Sequence, residues 1–262
     1  MPTNALLIID AQYDFCNPKG ALYVQGADKD MERLAQFIQT NIYQLNKIFL
    51  SIDNHLLNDI AHPSFWEDKN KKSPAPFTQI TAKDVEEGKW KARFEAEKSL
   101  QYLKNLEADA KFLHFIWPTH CLVGSLGASI DEKIMTAVTN WGKSNGKDYV
   151  AIHKGLYPFS EHFGIFAAQI PEAEVPETQL NTELIAWLNQ YDNVFVAGEA
   201  KSHCVATSIQ QAIDFAPELA QKMIIVEDCM SDVTGLGYLG EPTYQKAKDL
   251  GIRFVKSSYM IS

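Results

Sequence analysis

Cys204 closes the run Asn193-Val-Phe-Val-Ala-Gly-Glu-Ala-Lys-Ser-His-Cys204. Val194 to Ala197 is a short apolar, β-rich segment that reads as a strand buried on both faces. Gly198 ends it, and Val205, Ile209, Ala212, Ile213 and Ala216 then recur at helical spacing. Cys204 is therefore expected at a strand-to-helix turn, at the N-terminus of the following helix. Backbone N–H groups are unpaired there and the local potential is positive. Such a position lowers a thiol's pKa and offers donors to an oxyanion. A buried structural cysteine is the competing reading, because cysteine is among the commonest interior residues.

Three other predicted strand ends carry ionisable residues: Asp10 after Ala5–Ile9, Asp53 after Ile48–Ile52, and Lys154 after Tyr149–His153. Carboxyl ends of parallel strands lie along one edge of a sheet, so these residues can converge with Cys204. An ammonium favours thiolate, and a carboxylate can take the thiol proton and return it to a leaving amine. Taken singly, Lys154 also fits a solvated surface lysine and Asp10 a turn cap. A second set is Asp53-Asn-His55, His62 and Trp117-Pro-Thr-His120. Asp-x-His projects two ligands from one side of an extended segment. A carboxylate with imidazoles suits Zn²⁺, Fe²⁺ or Mn²⁺, and three protein ligands leave a position open for chemistry. His114, His153 and His162 lack such company, and His114 reads as structural inside a strand.

The elements that must position these residues alternate. Helices are expected over Met31–Leu45, Ile130–Trp141, Leu184–Leu188, Val205–Ala216 and Thr243–Leu250. Further strands are expected over Phe112–Trp117, Met223–Val226 and Ile252–Val255. Alternation of this kind implies a three-layer α/β/α arrangement around a parallel central sheet of about six strands. The stretch 66–109 is different: it is rich in Lys and Glu, contains Pro74 and Pro76, and shows only a weak helical pattern near Phe94–Leu106. It reads as an insertion in a single 1–262 domain, first a mobile flap and then a surface helix.

The chain has 262 residues, 46% hydrophobic and 22% charged, with a formal charge of −9. That balance argues against a nucleic-acid surface or an anionic membrane as partner. No apolar run is long enough to span a bilayer. The N-terminus has no basic region or cleavage site of a signal peptide, which leads to the expectation of a cytoplasmic protein. Cys16, Cys121, Cys204 and Cys229 show no paired spacing and are expected as reduced thiols.

Five linked motifs then make the chain recognisable: Ala5-Leu-Leu-Ile-Ile-Asp-Ala-Gln-Tyr-Asp-Phe-Cys16, Asp53-Asn-His55 with His62-Pro-Ser-Phe65, Trp117-Pro-Thr-His-Cys121, His153-Lys-Gly155 and Gly198-Glu-Ala-Lys-Ser-His-Cys-Val205. In this order and over most of its length the chain resembles the isochorismatase-like cysteine hydrolases, and within them the nicotinamidases. The resemblance implies that Asp10 is the base, Cys204 the nucleophile and Lys154 the third member of a catalytic triad. It implies metal ligation by Asp53, His55 and His120, with His62 as a variable fourth ligand and Zn²⁺ expected before Fe²⁺ or Mn²⁺. Phe15 and Trp117 match aromatic walls around a pyridine ring. Backbone N–H groups of Ala200 and Cys204 match an oxyanion hole, with a cis peptide between Glu199 and Ala200. Homo-oligomers are frequent in the family.

The chain also departs from the family pattern. Glu199 stands where the family is usually small or aliphatic, at the expected pocket floor, and Leu156–Phe166 lacks the acidic, Ser-rich pattern that follows Lys-Gly. The expected function is metal-assisted hydrolysis of nicotinamide to nicotinate and ammonia through a thioester on Cys204. The alternatives are the same triad acting on another small amide or carbamoyl compound, and a catalytically silent, metal-binding oligomer.

Overall fold

A computed structural model describes residues 1–109 and 113–261. Its main sheet contains β1 (Asn4–Ile9), β2 (Lys47–Asp53), β5 (Val150–Lys154), β6 (Asn193–Gly198), β7 (Met223–Val226) and β8 (Arg253–Val255). Their order is β5-β2-β1-β6-β7-β8 and every pairing is parallel. A separate antiparallel pair joins β3 (Trp66–Glu67) to β4 (Lys91–Ala92). The helices are α1 (Tyr13–Cys16), α2 (Ala27–Thr40), α3 (Ala82–Glu86), α4 (Ala96–Asp109), α5 (Glu132–Asn145), α6 (Thr182–Leu188), α7 (Ala206–Phe215), α8 (Pro217–Lys222) and α9 (Glu241–Asp249).

The central strands are apolar without interruption because both of their faces are covered. Leu6 and Ile8 of β1 pack with Met31, Leu34 and Ile38 of α2 and with Ile134, Val138 and Trp141 of α5. Ala5, Leu7 and Ile9 point to the opposite layer, with Leu184 and Leu188 of α6, Ile209 and Ala212 of α7, Leu219 of α8 and Ala247 of α9. This is the expected α/β/α arrangement with six parallel strands. The register places Ile9 opposite Gly198 and Asp53 opposite Lys154, so β1, β2, β5 and β6 end together. No helix among the described residues is long and apolar enough to cross a membrane.

Two expectations change. Phe112 lies outside the described residues, and the rest of the 112–117 run is not a strand of the main sheet. Phe115 makes a lone antiparallel bridge to Gln79, and Ile116 and His114 exchange backbone bonds with Phe77, Thr78 and Ile80. This apolar run is satisfied by the 66–109 stretch, so it does not need a place in the sheet. That stretch is not a flap followed by a merely superficial helix. It builds an apolar cluster of its own from Phe65, Trp66, Ile80, Ala92, Ile116 and the buried Tyr102, Leu103 and Leu106 of α4. A capping box between Thr81 and Asp84 starts α3. The helical pattern is weak in the sequence because only a narrow face of α4 is covered. Lys154, expected just after its strand, is the last residue of β5.

Candidate active site

Lys154 is the hub of the site. It enters on β5, and its buried Nζ lies 2.9 Å from Asp10 Oδ2 and 3.0 Å from Asp53 Oδ1. It donates to the carbonyl of His162 at 2.8 Å and reaches Cys204 Sγ at 3.9 Å. The sequence-predicted Asp10, Lys154 and Cys204 are thus brought together. Asp10 follows β1 at a φ of 45°, a left-handed conformation uncommon for a residue with a Cβ. Ser51 of β2 holds it there: its hydroxyl donates to Asp10 Oδ1 at 2.5 Å and accepts the Asp10 N–H at 2.9 Å. Burial raises the Asp10 carboxyl above its usual range, and the Asp53 charge adds to this against the opposing Lys154 ammonium.

Cys204 sits in a π-helical turn, Lys201–Val205, that runs into α7. The peptide between Glu199 and Ala200 is cis, as the family resemblance implied. The thiol, however, is not lowered. Burial pushes it well above the ordinary cysteine value, Lys154 pulls it down, and the Asp10 and Asp53 charges push it up again. A turn potential cannot offset that desolvation, so the resting group is a neutral thiol. For the sulfur to act as a nucleophile the thiol proton would have to leave, and Asp10 is a buried carboxylate within electrostatic reach and of raised basicity.

Asp53, His55 and His120 bring one ligand atom each within 4.8 Å of one another. His55 Nε2 is 2.9 Å and His120 Nε2 3.9 Å from Asp53 Oδ2. The supporting bonds orient both rings. His55 Nδ1 lies 3.0 Å from Asp59 Oδ2, and His120 Nδ1 lies 2.8 Å from the Pro118 carbonyl, so in each ring Nε2 is the nitrogen presented to Asp53. Gln12 braces the backbone of Asp53, accepting its N–H and donating to its carbonyl, both at 2.7 Å. Asp14 accepts the Cys121 N–H at 2.8 Å and so fixes the end of the His120 loop.

These residues fit a divalent cation. Asp10 and Asp53 share one buried ammonium, Lys154, and a third buried carboxylate, Asp59, meets His55. Burial opposes a charge on His55, yet the Asp53 and Asp59 carboxylates on its two nitrogens outweigh it and hold the ring well above its usual value. A cation supplied at this point replaces that proton. His120 is lowered to about 3 by burial and the His55 charge, which leaves it neutral as a ligand must be. His62 lies beside them, its ring centroid 5.0 Å from His55 and 5.2 Å from His120. Its Nε2 faces the His120 backbone N–H at 3.4 Å, and its buried Nδ1 has no hydrogen-bond partner.

Cys204 and the three candidate metal ligands Asp53, His55 and His120 line one pocket, together with Phe15, Trp117 and Ala200 among others. Phe15 stands edge-on to His120 at 5.4 Å, and Trp117 meets His203 at 5.2 Å and Phe77 at 6.0 Å. Glu199 does not line the pocket; its side chain turns toward Ser231 and Asp30, which corrects its expected place at the floor. Residues that the sequence did not single out complete the walls. Glu161 accepts the Trp117 indole N–H at 3.0 Å, and burial followed by the Asp59 charge lifts its carboxyl to about 8, so it is mostly protonated near neutral pH. His162 and Phe163 also line the pocket, so His162 is not isolated. Their only signal in the sequence was nearness to the His153-Lys-Gly155 motif. His114 is buried against Ile60, Trp66 and Tyr102, away from the pocket.

No protein-family model matches the chain. A nicotinamidase from Saccharomyces cerevisiae is 24% identical over 224 residues, which is 85% of each chain. A solved nicotinamidase/pyrazinamidase from Acinetobacter baumannii superposes with a TM-score of 0.66 over 98% of both chains, at 21% identity. A pyrazinamidase from Pyrococcus horikoshii, solved in complex with zinc, superposes with a TM-score of 0.55 over 97% of this chain and 99% of its own, at 20% identity.

Proposed function

We propose that this chain, isochorismatase-like in fold and most like the nicotinamidases, hydrolyses nicotinamide to nicotinate and ammonia through a thioester on Cys204. The observation that carries the reading is Lys154, which binds Asp10, Asp53 and Cys204 at once and so joins a nucleophile to a cation site in one pocket. Asp10 accepts the Cys204 proton as the sulfur attacks the amide carbon. In this reading the N–H groups of Ala200 and Cys204 receive the developing oxyanion. The proton then passes from Asp10 to the amide nitrogen, the C–N bond breaks, and ammonia leaves. Water, deprotonated by Asp10, attacks the thioester; nicotinate forms and the thiol is restored. Lys154 keeps its charge throughout, because Asp10 and Asp53 outweigh its burial and hold it well above the usual lysine value. Phe15 and Trp117 flank the ring and carry the amide to Cys204. Asp53, His55 and His120 would hold a divalent cation, Zn²⁺ first among the candidates, which when bound would supply a Lewis acid in the pocket.

Because Glu199 lies outside the pocket lining, it gives no reason to prefer a different amide. The test is ammonia release from nicotinamide and from benzamide, which has the same shape without the ring nitrogen. Benzamide should be slower by about 10³-fold or more, since a site built for a directed bond rejects the analogue lacking it. Cys204→Ala should release no ammonia from either while still binding nicotinamide. Comparable rates on the two amides, or turnover by Cys204→Ala, would overturn the reading.

A further inference from the structure

Glu199 is buried two residues before the turn that carries Cys204, and the catalytic steps do not use it. Its Oε2 accepts the Ser231 N–H at 3.1 Å, whereas the buried Oε1 has no hydrogen-bond partner. Ser231 also donates its hydroxyl to Asp30 Oδ2 at 2.5 Å, and Arg33 pairs with Asp30 Oδ1. The same segment is tied to the turn. The Ser231 carbonyl accepts the Lys201 N–H at 2.8 Å, and the Val233 N–H donates to Ser202 Oγ at 3.1 Å.

The charges around Glu199 are mostly of its own sign. Asp30 comes from α2 and Asp232 from the segment after β7, and both raise it. The Cys16, Cys229 and Tyr244 protons face it from three further elements, and each is itself pushed up by burial first and by acidic neighbours, Glu199 included. The cations nearby are engaged elsewhere: Arg33 with Asp30 and the Asp228 carbonyl, Lys201 with Asp232 at 3.7 Å. A carboxyl buried among charges of its own sign keeps its proton, and that hydrogen, given toward Asp30, satisfies the orphaned Oε1. Burial, followed by Asp30, holds Glu199 well above the usual carboxylate range.

We propose that Glu199 is a positioning residue, a neutral carboxylic acid that shares one hydrogen with Asp30 and, through Ser231, fixes the Ala200–Cys204 turn. The kinetic half of this rests on the amidase reading; the protonation half does not. A group that keeps its proton in the folded chain but loses it in the unfolded chain makes stability fall as pH rises above the ordinary Glu value. Glu199→Gln keeps the acceptor for Ser231 and a donor for Asp30 but cannot ionise. Its melting temperature should match the unmodified protein near pH 5 and exceed it by about 3 °C more per pH unit up to pH 8. In an Asp30→Asn background that widening gap should shrink. A constant gap, or one that widens in favour of Glu199, overturns the shared hydrogen.

Glu199→Leu fills the volume without a hydrogen bond. It should lower kcat about 10-fold or more with KM within about 3-fold, and Glu199→Gln should restore kcat to within about 3-fold. Equal kcat for the Leu and Gln variants overturns the positioning role. Absence of nicotinamide turnover by the unmodified protein overturns the amidase reading instead, and the thermal measurement, which uses no substrate, still decides the shared hydrogen.

Discussion

Asp10 and Asp53 end neighbouring strands, both are buried, and both lie within 3.0 Å of the same ammonium, yet the fold drives them in opposite directions. Asp10 is raised, whereas Asp53 is held well below the usual carboxylate range even though burial is the largest influence on each. The difference lies in the second partner. Asp10 has the neutral hydroxyl of Ser51, while Asp53 has the His55 imidazole, itself backed by Asp59. One strand position separates a carboxylate that takes up a proton from one that stays an anion. Two carboxylates pushed apart in this way suit the different roles proposed for them, a proton acceptor on the Cys204 side and a cation ligand on the imidazole side.

Exchanging the two roles by mutation gives the largest expected effect. Asp10→Asn should cut kcat about 10³-fold or more while the protein retains its divalent metal, because shape is kept and only the proton acceptor is lost. Asp53→Asn should lose metal as measured by elemental analysis. Metal loss from Asp10→Asn, or full metal content in Asp53→Asn, would erase the distinction between the two sides. A smaller effect separates the cation side from its support. Asp59→Ala leaves all three candidate ligands in place but frees His55 Nδ1, and metal affinity should fall about 10–100-fold by competitive chelation. An unchanged affinity would mean that the imidazole is oriented by packing alone. The smallest effect concerns the ring pocket that both sides serve. Glu161→Leu leaves the Trp117 indole N–H without its acceptor and should raise KM by about 3–10-fold with little change in kcat, whereas Glu161→Gln should stay near the unmodified value. A drop in kcat without a change in KM would move Glu161 from the wall of the pocket into the chemistry.

The 66–109 stretch shows the limit of reading a chain by local pattern. Its Lys- and Glu-rich composition hides Tyr102, Leu103 and Leu106, which become a buried face only because Trp66 folds back on them and Phe65 and Ile116 arrive from outside the stretch. For the same reason the apolar 112–117 run looked like a sheet strand when its described part instead pairs with residues 77–80.

The residue pattern alone marked β1, β2, β5 and β6 and located their carboxyl ends to within a residue, and therefore determined that Asp10, Asp53, Lys154 and Cys204 share one edge. Those properties follow from side-chain period and from Gly and polar punctuation, which act over a few residues. Only the tertiary structure decided the states of these groups. Asp53 is lowered in large part by His55, two residues along the chain, but the raised Asp10, the neutral Cys204 thiol, the place of Glu161 beside Trp117 and the turning of Glu199 toward Ser231 and Asp30 depend on partners tens to hundreds of residues away. Burial and Coulomb interaction act through space, so the type and spacing of residues along the chain could say which groups meet at the edge but not which of them would hold a proton.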